Sequence, residues 1–275
     1  MATELSPALL EAALFPEFDL PLPPPGHPYK VRAFDGYRLG YMPGASFALV
    51  SVRRMPPDIE ARVAELRALL AAEGFERAAW MVGEAAEPAG LAGRLQELGM
   101  VPWPREAEGF GARYRNMLLT TAPAPMAEGV LARQAETFEE FVQARRVAQG
   151  AFEASEHDRE LAERKYIEQW EWHERMPDFK TFVAFVDGEV VGNAGAIFGG
   201  HAAFLVGGAV REDARGRGAY RALVRARWEA AVERGTPALT VAAGSMSGPI
   251  LERLGFTTVG EGDGLEDRFP VSWTC

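Results

Sequence analysis

The chain has 275 residues, 48% of them hydrophobic, and a net charge of −10, enough for one elaborated domain or two domains with a sizeable core. Lys30, Lys165 and Lys180 are the only lysines among 29 basic residues, and so acidic a chain repels phosphate backbones, which excludes nucleic acid as a partner. No apolar run approaches a membrane span, Cys275 is the only cysteine, and His27, His157, His173 and His201 lack metal-ligand spacing, so no membrane partner, internal disulfide or metal is expected.

Met1 to Phe18 carries Glu4, Glu11 and Glu17 but no basic residue, which argues against a secretory signal and for a cytoplasmic protein. A proline-rich stretch, Pro21-Leu22-Pro23-Pro24-Pro25-Gly26, precedes a β-like run from Ser46 to Val52. Asp58 to Leu70 places apolar residues every three or four positions and predicts a helix. A strand over Ala78–Val82 and a helix over Leu91–Met100 follow, then a linker, Thr120-Thr121-Ala122-Pro123-Ala124-Pro125. The linker divides the chain into residues 1–125 and 126–275.

In the second part, Phe179–Gly192 reads as a hairpin, two β-rich runs joined at Asp187-Gly188. An apolar run, Ala202–Val210, leads into Arg215-Gly216-Arg217-Gly218-Ala219-Tyr220-Arg221 and then an amphipathic segment that ends near Gly235. Glycines between a strand and a helix let the backbone approach an anion, and the first helical N–H groups have no partner within the helix. The arginines add charge suited to phosphate oxygens. A short strand, Pro237–Ala243, the loop Gly244-Ser245-Met246-Ser247 and a helical pattern, Pro249–Phe256, complete the series.

The glycine-arginine loop, with its flanking elements and the closing Leu254-Gly255-Phe256, resembles the GCN5-related N-acetyltransferases (GNATs), whose pyrophosphate loop reads Gln/Arg-x-x-Gly-x-Gly/Ala. The resemblance covers roughly residues 128 to 275 and departs at the final small position, which is Tyr220. It implies an α/β (α+β) fold, a mixed sheet with flanking helices. Acetyl-CoA is the implied acyl donor, held by Gly208, Ala209, Val210, by Arg215 to Arg221 including Gly216, Arg217, Gly218, Ala219 and Tyr220, and by Ser245 and Ser247. The implied acceptor is a primary amine of a small molecule or an exposed amino group of a peptide, and a homodimer is compatible with the sequence. Gly207-Gly208 marks either the bulge that the family places in this strand or close packing.

The first part repeats the order of the second: helix, Gly74, strand, Gly83 and a helix ending in Leu98-Gly99-Met100 echo helix, Gly235, strand, Gly244 and Leu254-Gly255-Phe256. This is read as a degenerate half-copy of the same fold, against the alternative that any α/β sequence has this rhythm. Its counterpart of the phosphate loop is Arg53-Arg54-Met55-Pro56-Pro57-Asp58, and proline has no N–H for an anion. No acyl-CoA site is expected there.

Acetyl transfer needs a group to take the amine's proton, donors for the oxyanion, and a tolerable leaving thiolate. The family's usual proton donor is a tyrosine three residues before the Leu of Leu-Gly-Phe. Here that residue is Leu251. A thiol pKa of roughly 8.5 still permits departure without an acid, and Ser245, Ser247 or water is available; Ser247 also suits a helix cap. The candidate bases are Glu153, Glu156 and His157, of which His157 has the reference pKa best suited to neutrality. Between Ala151 and Asp178 nine acidic residues face four basic ones, either a solvated helix face or a lining for a cationic acceptor. Trp170, Trp172 and His173 are core or an acceptor wall; Asn193 orients an acceptor or satisfies backbone. Leu251 also motivates a second class of function, a catalytically weak acyl-CoA-binding sensor or partner subunit.

Overall fold

The computed structural model describes residues 5–43, 45–104, 111–151, 160 and 163–270. Among them, twelve strands form one sheet: β1 (Lys30–Ala33), β2 (Tyr37–Tyr41), β3 (Ala48–Arg54), β4 (Arg77–Glu87), β5 (Val101–Pro102), β6 (Arg113–Leu119), β7 (Val130–Gln134), β8 (Phe179–Val186), β9 (Glu189–Phe198), β10 (Ala203–Val210), β11 (Leu239–Ala243) and β12 (Thr257–Arg268). The helices are α1 (Pro7–Leu14), α2 (Pro16–Asp19), α3 (Ile59–Ala72), α4 (Leu91–Glu97), α5 (Phe138–Ala151), α6 (Tyr166–Arg175), α7 (Ala219–Glu233) and α8 (Gly248–Arg253). The expected mixed sheet with flanking helices is what forms.

The sheet order is β1-β2-β3-β4-β12-β6-β11-β10-β9-β8-β7, with β5 beside β12. Two pairs are parallel, β3 with β4 and β10 with β11, each bridged by a long helix and followed by a short one. The units β3-α3-β4-α4 and β10-α7-β11-α8 are therefore the two copies the repeated order predicted. All four helices end alike: a glycine with φ between 78° and 96° (Gly74, Gly99, Gly235, Gly255), then an N–H reaching five residues back. Phe75 bonds Leu70, Met100 bonds Leu95, Thr236 bonds Ala231 and Phe256 bonds Leu251, all at 3.0–3.2 Å. This left-handed cap favours glycine, which explains the Leu-Gly-Met and Leu-Gly-Phe echo.

The halves exchange their last strands. β6, from the first half, pairs with the whole length of β11, Leu119 opposite Leu239 through Arg115 opposite Ala243. β12, from the second, pairs with β4 from Gly262 opposite Gly83 to Arg268 opposite Arg77. The Thr120–Pro125 linker thus lies between two sequence copies whose sheets are continuous. Ion pairs hold β12 in place: Arg67 on α3 grips the buried Asp267 through three contacts of 2.7–3.0 Å, and Arg77 reaches the buried Glu266 at 3.2 Å.

Side-chain alternation sorts the helices by face. Met117 and Leu119 join the core under α7 and α8, whereas Leu118 between them joins α1 on the opposite face. A separate cluster on Val183 anchors α5 and α6. The hairpin at Asp187-Gly188 has both turn residues at φ > 0 (53° and 86°) and closes with Val186 opposite Glu189, the geometry that Asp-Gly favours.

Candidate functional site

The two parallel pairs differ in one decisive respect. β3 and β4 stay in register over five residues, Ala48 opposite Ala78 to Val52 opposite Val82. β10 and β11 pair only at Ala203–Leu239 and Phe204–Thr240, then diverge. Because β11 bonds β6 on its other side throughout, the rest of β10 presents one edge of backbone N–H and C=O groups to a gap. Unpaired strand edges seek an extended partner.

Within that edge the pairing of β10 with β9 shifts between Val206, opposite Gly195, and Ala209, opposite Asn193. Gly207 and Gly208 thus face a single residue, Ala194, and form the bulge expected of these glycines; Gly207 has φ +58°. Asn193 supplies the anchor. Its Nδ2 donates to the Gly207 carbonyl at 3.1 Å, while its buried Oδ1 has no partner. Of its two readings, the satisfaction of backbone is observed.

The chain leaves β10 through a 3-10 turn, Glu212–Ala214, and enters α7 at Gly218. Gly216 and Gly218 have φ of 78° and 93°, conformations that side chains resist. The first intrahelical bond runs from Ala222 N to Gly218 O, no side chain caps the helix, and its first turn has no acid. The N–H groups of Ala219, Tyr220 and Arg221 therefore point out of a 15-residue helix with its positive end uncapped, a geometry that accepts an anion. Arg221 is exposed, Arg215 turns its Nε to the Val210 carbonyl at 3.4 Å, and Arg217 pairs with Asp187 at 2.6 Å. These residues fit the pyrophosphate of CoA, and the gap beside Gly208, Ala209 and Val210 fits its pantetheine arm.

The counterpart loop in the first half is built differently. The N–H groups of Arg53 and Arg54 both donate to Gly36 O at 2.8 Å, Met55 N donates to Glu87 O, and the two guanidinium groups pair with Glu11 and Asp35. Pro56 and Pro57, which follow, carry no N–H.

Tyr220 turns its ring inward, as its place in the loop requires. A Cβ built on Gly208 would lie 3.0 Å from Tyr220 Cε2 and 3.5 Å from its hydroxyl, so the ring rests on the bulge. Leu251 is buried in the α7–α8 core. Ser247 occupies the N-cap position of α8 but makes no cap bond; its hydroxyl contacts Gly244 O at 3.5 Å, because its own backbone is already helical. Ser245 is exposed at the mouth of the same loop.

Glu153, Glu156 and His157 lie outside the described residues. Trp170 and His173 belong to the packed face of α6, stacked 5.1 Å apart and against Phe141. Burial, then the nearby Lys180 charge, pushes His173 down to about 4, and its Nδ1 accepts the Thr181 N–H at 3.3 Å, so it is neutral near pH 7. Trp172 instead meets His27 of the proline-rich segment at 4.9 Å.

Sequence reasoning missed Arg227. It sits on the apolar stripe of α7, four residues from both Leu223 and Ala231, and is 1% exposed. A charged residue at a core-facing helical position was the available signal. Among the described residues, no group of three or more His, Cys, Asp or Glu is placed to hold a metal, and no helix is long and apolar enough to cross a membrane.

Residues 141–256 match the model of the acetyltransferase (GNAT) family. No curated protein matches the chain in sequence. Among solved structures, it is similar to a GCN5-related N-acetyltransferase from Kribbella flavida, with 17% identity and a TM-score of 0.65 over 97% of this chain and 98% of that one. A tandem GNAT protein from the clavulanic acid biosynthesis pathway, solved without acetyl-CoA, matches at 16% identity and a TM-score of 0.61, covering 95% and 94%. A conserved protein of unknown function from Staphylococcus epidermidis gives 12%, 0.62, and coverages of 87% and 93%. Residues 141–256 are a domain of the GNAT acetyltransferase family, and the whole chain has the fold of a tandem GNAT protein.

Proposed function

We propose that the chain is an N-acetyltransferase that uses acetyl-CoA, bound once per chain in the second half, to acetylate a primary amine. The observation that carries this reading is the two-residue limit of β10–β11 pairing beside an uncapped α7, set against the five-residue pairing of β3 and β4. Bound acetyl-CoA supplies an activated thioester.

The chain's own groups do the rest. The N–H groups at the start of α7, with Arg215, Arg217 and Arg221, neutralise phosphate oxygens. The open edge of β10 at Gly208–Val210 orients the extended arm and offers backbone donors where negative charge develops on the acyl oxygen. Ser245 and Ser247 flank the opposite wall on the β11–α8 loop. The proton of the incoming amine is assigned to Glu153, Glu156 or His157, since His173 is locked in the core. The acidic segment from Ala151 to Asp178 favours a cationic acceptor.

Calorimetry with acetyl-CoA tests the binding half of the reading. Wild type is expected to bind one equivalent, and Gly218→Val, forced into a left-handed backbone, to bind at least about tenfold more weakly while keeping its circular dichroism spectrum. Equal affinity in the folded variant refutes the assignment. Thiol release with a panel of primary amines tests the catalytic half. The second reading, an acyl-CoA-binding sensor, is favoured by Leu251; binding without thiol release for any amine selects it.

A further inference from the structure

Arg227 is a buried cation without a counterion. Its Nε donates to Leu223 O at 3.0 Å and its Nη1 to Gly195 O at 3.2 Å on β9, but its buried Nη2 has no partner. Among the described residues it forms no ion pair. A guanidinium held this way is costly unless something at the site uses its charge.

The group placed to use it is Tyr220, two helical turns earlier. The Tyr220 ring lies on the bulge glycine Gly208 and packs against the apolar cluster between α7 and the sheet. Gly208 belongs to the open edge of β10, which the proposed acyl-donor site uses. Burial raises the Tyr220 pKa, and the one charge acting against that rise is Arg227.

The geometry points to the Tyr220 hydroxyl as the proton donor to the departing CoA sulfur, with Arg227 as its electrostatic support. This rests on the acetyl-CoA reading above. As the thioester C–S bond breaks, its electron pair passes to sulfur and the Oη proton follows. The products at this point are neutral CoA thiol and a tyrosinate, whose charge Arg227 stabilises. Water returns the proton to Tyr220 when product leaves. The guanidinium stays protonated throughout.

The test needs CoA alone. The thiol of bound CoA is titrated by ultraviolet absorbance of its thiolate, with desulfo-CoA as blank, in wild type, Tyr220→Phe and Arg227→Lys. A phenol that donates to sulfur stabilises the thiolate, so Tyr220→Phe, which keeps the backbone N–H, should raise the pKa of the bound thiol by about one unit, a tenfold weaker acid. Arg227→Lys, which keeps a cation, should stay close to wild type, and Arg227→Met should follow Tyr220→Phe. If the arginine variants do not fold, the phenylalanine variant decides alone, since it keeps the ring. Equal thiol pKa values in wild type and Tyr220→Phe overturn the role of Tyr220 and leave the binding site standing. Failure of wild type to bind CoA overturns the site and this role together.

Discussion

The ring of Tyr220 lies so close over Gly208 that a methyl group on the glycine would sit 3.0 Å from Cε2. Gly208 keeps an ordinary negative φ, so the space, not the backbone, demands glycine. Gly208→Ala is expected to cost about 1–3 kcal/mol by overpacking. In a Tyr220→Ala background most of that cost should vanish. A double-mutant cycle by urea denaturation checks this, and a coupling energy near zero contradicts the packing described.

Asn193 holds the bulge through one hydrogen bond to Gly207 and has no backbone role of its own beyond β9. Replacement by alanine leaves the Gly207 carbonyl without its donor and should lower stability by about 1–2 kcal/mol. Acetyl-CoA affinity should fall as well, because the bulge shapes the open edge. A change in stability alone, with affinity unaltered, places Asn193 outside the donor site.

Asp267 is 1% exposed and depends on Arg67, across the exchanged strand. Asp267→Ala leaves a partly buried guanidinium unpaired and removes the clamp between α3 and β12, a loss of about 3–5 kcal/mol. Since β6 and β12 cross between the halves, unfolding should remain a single transition when followed by tryptophan fluorescence and far-ultraviolet circular dichroism. Two separated transitions would show that the halves fold independently.

Two buried groups titrate in opposite senses. His173 falls from 6.5 to about 4 on folding, so the unfolded chain binds its proton first, and the neutral histidine's contribution is lost as pH drops from about 6.5 towards 4. Glu17 rises from 4.5 to about 6 through burial, so its contribution is present at low pH and lost as pH rises through about 6. Between about pH 4.5 and 6 the two oppose each other. Glu17→Gln should therefore steepen the loss of stability on acidification, and His173→Gln should flatten or reverse it, in each case by about 1–2 kcal/mol. Melting temperatures measured from pH 4 to 7 decide; identical slopes in both variants contradict the assignment.

Local chemistry was legible in the residues. Asp187-Gly188 demanded a tight hairpin, the glycines after Val210 demanded a strand-to-helix loop, and Leu-Gly-Met and Leu-Gly-Phe recorded the same left-handed cap in two places. These signals are short range because each depends on φ preferences or on bonds within five residues. The edge strands β1 and β7, the neighbouring β2, the short helices α1 and α2, and β6 were not read. Arg113 to Leu119 begins with alternating arginines and lacks a clear period, since its partners β11 and β12 come from the far end of the chain.

The residues alone determined the two copies and the glycine loop at the head of α7. The tertiary structure alone decided that the copies exchange strands, that β10 and β11 part after two residues, that Tyr220 turns onto Gly208 and that Arg227 is buried. Strand pairing across more than a hundred residues follows from which edges are left open after the local units form, and a side chain's direction follows from where space remains in the packed core. Neither quantity is written in the spacing of residues along one segment.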